Sequence, residues 1–213
     1  MTFNRASTLQ HHKLPFAHAT APADTLEDAV KMIKPTALIG VSAQPSTFTR
    51  EVIERMTKST SNPLIFALSN PTSKAECTAE EAYKWSDGCC VFASGSPFAP
   101  VSLKNGDTRV PGQGNNAYVF PGIGLGALVA GSSKVSDNDM YIAATALASS
   151  VQPDRLIQGC LYPPLDEIRQ VSKVIAAAIA RKAWESGTAT LPKPANVEKA
   201  VEERMWEPFQ EDE

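Results

Sequence analysis

Leu64-Ile65-Phe66-Ala67-Leu68, followed at once by Ser69-Asn70-Pro71, is the stretch that decides the fold. An apolar run this short cannot make a helix with one wet face. Stopped by Ser-Asn-Pro, it reads as a strand buried on both faces. Ala37-Leu38-Ile39-Gly40-Val41 has the same form upstream, and Cys90-Val91-Phe92-Ala93 repeats it downstream. Between these runs the spacing turns helical. Phe48–Lys58 sets Val52, Ile53 and Met56 on one stripe, and Thr78-x-x-Glu81 is a capping box opening a short helix. Ahead of the first strand, Asp24-x-x-Glu27 has the same capping form. It opens a helix striped by Leu26, Ala29, Val30 and Ile33, which Pro35 ends near Lys34. Apolar strands alternating with helices predict an α/β fold, a parallel sheet covered on both faces with right-handed crossovers.

Beyond Val110 the pattern changes. Ala117–Phe120 reads as a short last strand and Ile123–Ala130 as a buried helix. Helices follow at Asp137–Ser150, Asp166–Ser186 and Asn196–Met205, with Leu165, Ile168, Val171, Val174 and Ile175 as the packing face of the longest. The division expected is a sheet region, 1–136, and a helical segment, 137–213. Glu211-Asp212-Glu213 reads as a solvated tail.

Composition excludes several classes of function. Of 213 residues, 20 are Lys or Arg and 23 are Asp or Glu, so no basic surplus draws the chain to nucleic acid or anionic lipid. The apolar stretches Ala117–Ala130 and Val174–Ala180 are shorter than the roughly 20 residues that span a bilayer. The start, MTFNRASTLQHHK, lacks the apolar core of a secretory signal. Cys77, Cys89, Cys90 and Cys160 fit neither a disulfide framework nor paired zinc spacing and read as reduced, mostly buried small hydrophobes. His11, His12 and His18 have no acidic or thiol partner at ligand spacing, which leaves a polar loop. Gly122-x-Gly124-x-x-Ala127 meets the loose dinucleotide fingerprint, but a helix follows it where the fingerprint needs a strand ending in an acid. Close helix packing is the better account. Ser94-Gly95-Ser96 approaches a nucleophile elbow, yet no histidine lies downstream of it.

In an open parallel sheet, ligands bind beyond the carboxyl ends of the strands. That selects Ser42–Thr47, Ser69–Cys77 and Ser94–Pro100, loops of small and polar residues that let a ligand approach the backbone. Asn70 stands at a strand end, where its amide can donate and accept toward a ribose, carboxamide or carboxylate; Asn-Pro is equally a turn signal. Asn115-Asn116, after Pro111-Gly-Gln-Gly, suits a small anion and is likewise compatible with a turn.

Six segments carry a more specific signal: Lys34-Pro-Thr-Ala-Leu-Ile-Gly40, Phe66-Ala-Leu-Ser-Asn-Pro-Thr-Ser-Lys-Ala-Glu-Cys-Thr78, Phe92-Ala-Ser-Gly-Ser-Pro-Phe98, Pro111-Gly-Gln-Gly-Asn-Asn116, Val119-Phe-Pro-Gly122 and Leu161-Tyr-Pro-Pro164. In this order and spacing they resemble the C-terminal part of the malic enzymes. The resemblance implies the second half of a doubly wound, Rossmann-type cofactor domain followed by C-terminal helices. It implies oxidative decarboxylation of L-malate to pyruvate with reduction of NAD(P), assisted by Mg or Mn. Asn70, Asn115 and Asn116 are then expected to contact substrate, with Asn70 and Asn115 also at the cofactor. Val41, Ser42, Leu68 and Ser69 are expected to line the dinucleotide. Lys13, just before Phe16-Ala17-His18, stands where NADP-preferring members carry lysine, so NADP is the expected cofactor, with NAD the alternative. The family's general-acid tyrosine, base lysine, metal ligands and Gly-x-Gly-x-x-Gly turn correspond to sequence upstream of these segments. The chain is therefore expected to be a fragment of such an enzyme, inactive when isolated and explained by the parent activity, or alternatively a catalytically dead fragment serving only as a binding or assembly module. A dimeric or tetrameric homo-oligomer is implied for the complete enzyme. The cytoplasm is the first expectation for its compartment, with mitochondrion and plastid as alternatives.

Overall fold

The computed structural model describes residues 1–207, so the tail expected at Glu211–Glu213 lies outside the described residues. Four strands, β1 (Ala37–Gly40), β2 (Leu64–Ala67), β3 (Val91–Ser94) and, later in the chain, β6 (Gly112–Gln113), form one parallel sheet in the order β1-β2-β3-β6. Between β3 and β6 the chain makes an antiparallel hairpin, β4 (Val101–Ser102) with β5 (Thr108–Arg109). The helices are α1 (Leu26–Ile33), α2 (Arg50–Ser59), α3 (Ala79–Trp85), α4 (Phe120–Ala130), α5 (Asp137–Ser149), α6 (Pro153–Ile157), α7 (Ile168–Glu185) and α8 (Val197–Arg204).

The register brings Gly40, Ala67, Ser94 and Gln113 into one row, so the loops after all four parallel strands open on the same edge. Along the strands, Leu38, Ile65 and Phe92 point to one face, where they meet Val30, Val52, Ile53, Met56 and Tyr83 from α1, α2 and α3. Ile53, Ile65 and Phe92 are fully buried there, worth about 1.5–3 kcal/mol each. The opposite row thins out toward the edge. Ala93 is buried, Phe66 is half-buried and Ile39 is 59% exposed. A strand buried on both faces at Ala37–Val41 is thus corrected: β1 lies at one end of the sheet, and among the described residues Ile39 is left largely uncovered.

Capping explains most helix boundaries. The Thr78–Glu81 box forms as expected: the Glu81 amide donates to Thr78 Oγ1 at 3.1 Å and the Thr78 amide to Glu81 Oε2 at 2.9 Å. At α1 the cap is shifted by one residue and no reciprocal box forms. Thr25, not Asp24, is the cap, accepting the Asp28 amide at 3.1 Å. Lys34 then closes the helix in the left-handed region, with φ 51°. The strand expected at Ala117–Phe120 is instead a 3₁₀ turn, Asn116–Tyr118, running into α4. Asn115 Oδ1 accepts the Ala117 amide at 2.9 Å and starts the turn, while Pro121 presets helical φ in the first turn of α4. The last parallel strand is β6.

A second layer consists of α4, α5, α7 and α8. Its principal contact is α4 on α7, where a Cβ on Gly122 would lie 2.7 Å from Ile175 Cβ, and one on Gly126 2.5 Å from the Ala176 carbonyl oxygen. These glycines serve helix packing, as the sequence predicts. On α7, Val171 and Ile175 are buried, whereas Leu165 ahead of it and Val174 on it are 48% and 40% exposed. The packing face therefore continues through Ala176, Ile179, Ala180 and Ala183 instead. Because α4 and α7 share two apolar clusters, the interior is continuous across position 136.

Candidate functional site

The first strand-end loop, 41–49, holds two non-glycine residues in the left-handed region, Ala43 at φ 55° and Ser46 at φ 57°. An L-residue there costs roughly 1–2 kcal/mol. Hydrogen bonds to the next loop hold them: the Ala43 amide donates to Ser69 Oγ at 2.9 Å, the Ser46 amide to the Ala75 carbonyl at 3.2 Å and the Phe48 amide to the Glu76 carbonyl at 3.0 Å. Val41 and Ser42 are exposed at the mouth of this loop.

In the second loop Ser69 and Glu76 are buried. The Ser69 hydroxyl donates to Glu76 Oε1 at 2.5 Å and its amide to Oε2 at 3.4 Å. With one bond given to Glu76 and one received from Ala43, the hydroxyl is used internally, so what Ser69 offers a ligand is its backbone. Asn70, next to it, is exposed. Its Oδ1 accepts the Ser96 hydroxyl at 2.7 Å, which turns Nδ2 toward the Leu68 carbonyl at 3.5 Å and toward solvent. That orientation makes Asn70 an N–H donor to whatever sits at the edge. Gly95 makes the arrangement possible, since a Cβ there would lie 2.3 Å from the Leu68 oxygen and 2.7 Å from Asn70 Nδ2.

The third loop is fixed by Ser94 Oγ donating to the Ser96 carbonyl at 2.7 Å and by the Gly114 amide donating to the Ser94 carbonyl at 2.8 Å. Beyond β6, Asn115 spends Oδ1 on the turn and keeps its Nδ2 protons, and Asn116 is exposed beside it. Leu68, half-buried, lies against Gly114, where a Cβ would meet both its Cδ2 at 3.1 Å and the Tyr162 hydroxyl at 3.0 Å. Thus Tyr162, distant in sequence, joins the same edge. Burial raises its hydroxyl pKa and pushes that of neighbouring Tyr118 up to about 12, where the Tyr118 hydroxyl donates to the Pro163 carbonyl at 2.7 Å.

The edge therefore brings Val41, Ser42, Leu68, Ser69, Asn70, Asn115 and Asn116 to neighbouring loops on one side of the sheet. Lys13 is different. It is exposed on a 3₁₀ turn, His11–Phe16, and among the described residues no hydrogen bond or ion pair links it to these loops. Sequence reasoning missed Glu76, Ser96 and Tyr162. All three lie inside the quoted motifs, but only Ser96, one residue past Gly95 in a strand-end loop, carried a local signal.

Chemically the edge offers hydrogen-bonding groups and open backbone in place of charge. The three loops hold two charged residues, Lys74, exposed, and Glu76, buried. What they present is amide N–H, hydroxyl and open backbone. Burial raises the thiols of Cys77 and Cys90, the latter to about 11, so neither supplies a thiolate nucleophile at neutral pH. Among the described residues no three His, Cys, Asp or Glu side chains stand together as a metal site, and the one carboxylate of these loops, Glu76, is buried and bonded to Ser69, so the loops present no carboxylate to Mg or Mn. No helix among them is long and apolar enough to cross a membrane.

Residues 1–184 match the family model described as malic enzyme, NAD binding domain. Curated relatives extend the match. The chain is 50% identical over 206 residues to the chloroplastic NADP-dependent malic enzyme 4 of Arabidopsis thaliana, 51% over 206 to the NADP-dependent malic enzyme of Populus trichocarpa, and 47% over 210 to that of Dictyostelium discoideum. These alignments cover 96%, 96% and 98% of the chain but 32%, 35% and 38% of the relatives, so the chain spans about a third of their length. Among solved structures, the malic enzyme from Pyrococcus horikoshii superposes with a TM-score of 0.63 at 26% identity, covering 84% of this chain and 36% of that one. The Entamoeba histolytica malic enzyme, at 24% identity, shares the fold with a TM-score of 0.69 over 91% of this chain and 37% of its own. With the family model covering residues 1–184 and curated relatives about 50% identical over 96% of its length, the chain belongs to the malic enzyme family, within the cofactor-binding domain.

Proposed function

We propose that this chain supplies the nicotinamide-cofactor side of an NADP-dependent malic enzyme, which oxidises L-malate and releases CO₂ to give pyruvate. The observation carrying the proposal is that Asn70, Asn115 and Asn116 stand on loops at one strand-end edge, where an open parallel sheet binds its ligand, and that Asn70 and Asn115 spend their amide oxygens internally and keep N–H groups to donate. Names of relatives support NADP over NAD. Bound nicotinamide would supply the hydride acceptor for malate C2, whose hydroxyl gives up its proton; the C4 carboxylate, β to the new ketone, would then leave as CO₂ and the remaining enolate would take a proton to give pyruvate.

In that reaction the residues of this chain bind and orient. Asn70, locked as a donor by Ser96, directs Nδ2–H at a carboxylate or carboxamide oxygen at the reacting end. Asn115 and Asn116 donate toward the malate carboxylate. Val41, Ser42, Leu68 and the backbone at Ser69 form the wall the dinucleotide meets, with apolar Val41 suited to a ring face. No step is routed through a metal, because these residues form no site for one. Assembly as a homo-oligomer belongs to the proposal and is read by light scattering. A plastid or cytoplasmic setting also belongs to it, the Arabidopsis relative being chloroplastic, and a fluorescent fusion distinguishes the two.

The decisive experiment assays malate-dependent NADP reduction by the protein carrying this sequence. An amide left without its partner in a closed site costs about 1–3 kcal/mol. Asn70→Ala and Asn115→Ala are therefore each expected to lower kcat/KM for malate about tenfold or more. Unchanged kinetics in folded variants would assign these asparagines to turns only.

A further inference from the structure

Glu76 is the one carboxylate in the three strand-end loops, and the recognition chemistry leaves it unused. Its side chain is 1% exposed, a position that a carboxylate occupies only where hydrogen bonds replace lost hydration. Ser69 supplies two such bonds, from its hydroxyl at 2.5 Å and its amide at 3.4 Å. The same hydroxyl accepts the Ala43 amide at 2.9 Å, so the carboxylate is two hydrogen bonds from the neighbouring loop. The main chain repeats the link, through Ser46 to Ala75 and Phe48 to Glu76. Ala43 and Ser46, the two left-handed residues of that loop, both donate across it. The carboxyl is also confined, because a Cβ on Gly40 would lie 2.4 Å from Glu76 Cδ. Such a network shapes a loop more than it fills a core.

We propose that Glu76 is a positioning residue for the cofactor: its buried carboxylate fixes Ser69, and through Ser69 it holds the strained loop 41–49 in the form that meets the dinucleotide. The inference rests on the proposed nicotinamide-cofactor function and names the residue that prepares its binding wall. Glu76 touches no ligand in this account. It acts through Ser69 and Ala43.

The test uses the protein that carries this sequence and reads kinetics and amide exchange together. Glu76→Ala is expected to raise KM for NADP about tenfold while kcat changes less than about threefold, because the reacting-end amide of Asn70 is held separately by Ser96. Glu76→Gln, whose Oε1 still accepts the Ser69 hydroxyl, is expected to stay within about threefold of the parent KM. Adding Ala43→Gly to Glu76→Ala is expected to recover most of the lost affinity, since glycine holds positive φ without a tether. Ser69→Ala, a milder change should Glu76→Ala fold poorly, is expected to speed hydrogen exchange at the Ala43 amide about tenfold or more, by removing its acceptor. Unchanged exchange at Ala43 in Ser69→Ala overturns the tether. Faster exchange with an unaltered KM for NADP, or equal losses in kcat and KM that Ala43→Gly does not rescue, overturns the positioning role. A parent protein that never oxidises malate sinks the proposed function alone, and exchange at Ala43 still decides the tether.

Discussion

The strand-end edge and the α4–α7 layer both depend on glycine and use it for opposite purposes. At the edge, Gly40 makes room for the Glu76 carboxyl and Gly95 for the Leu68 carbonyl and the Asn70 amide. Between the helices, Gly122 and Gly126 make room for Ile175, Ala176 and Ile179. The first pair permits polar groups to be locked where a ligand can meet them. The second permits apolar surfaces to close. On the proposed function, stability and recognition are carried by different parts of one chain, and substitutions should separate them.

The largest effect is expected in the helical layer. A side chain at Gly126 enters space held by the Ala176 carbonyl oxygen at 2.5 Å and Ile179 Cβ at 2.8 Å, both on a buried helix that cannot yield cheaply. Gly126→Val should cost about 3 kcal/mol through overpacking. In a chain of this size that lowers Tm by roughly 6–12 °C, measurable by calorimetry. Asn70→Ala sharpens the contrast from the other side. Its side chain is exposed and its main bond is to Ser96, so Tm should move by no more than about 2 °C while malate kinetics fall as predicted above. Comparable losses of Tm in the two variants would erase the distinction between the layers.

The same contrast governs how much the sequence disclosed. Ala37–Gly40, Leu64–Ala67 and Val91–Ser94 were legible because a short apolar run between breakers is a local signal. β6 was not, since Gly112-Gln113 has no apolar signature and becomes a strand only by pairing with Ala93 and Ser94. The β4–β5 hairpin did leave a trace in Asn105-Gly106, a turn dipeptide with Gly106 at φ 89°. At α1, Asp24 and Thr25 are both good caps by type, and the position of Asp28 decides between them. Asn70, Asn115 and Asn116 could be singled out as candidates because open parallel sheets take ligands beyond their strand ends. Glu76 could not, because a charged loop residue reads as solvated, and its burial depends on Gly40 arriving beside it across the β1–β2 pairing. Non-local space is what the sequence reading lacks.

Charge recognition offers a test at a third place, outside both regions. Lys13 stands on the exposed turn His11–Phe16. An ammonium near the adenosine ribose favours the 2′-phosphate that NADP has and NAD lacks. Lys13→Gln is expected to raise KM for NADP about tenfold, consistent with a charged hydrogen bond, and to leave KM for NAD unchanged. Initial-rate measurements with each cofactor decide it. An equal response to the two would remove Lys13 from cofactor choice and leave recognition to the amide edge.

The smallest effect carries a sign that reports on the assembled protein. Gly124 lies on α4 between the packing glycines, but a Cβ there meets nothing within 4 Å. An alanine in a helix interior is favoured over glycine by roughly 0.8–1 kcal/mol, through backbone entropy. Gly124→Ala should therefore stabilise the chain and raise Tm by about 2–4 °C, the reverse of the change at Gly126 two residues away. Phe120 and Leu128, one turn to either side, are 64% and 66% exposed, so the three positions form an apolar stripe left open in the single chain. A stripe that stays open gives the predicted gain. If a second copy packs on it in the proposed homo-oligomer, the added methyl meets a partner and Tm falls instead. Measuring Gly124→Ala across a range of protein concentrations separates the two, because only the packed stripe makes the shift depend on assembly.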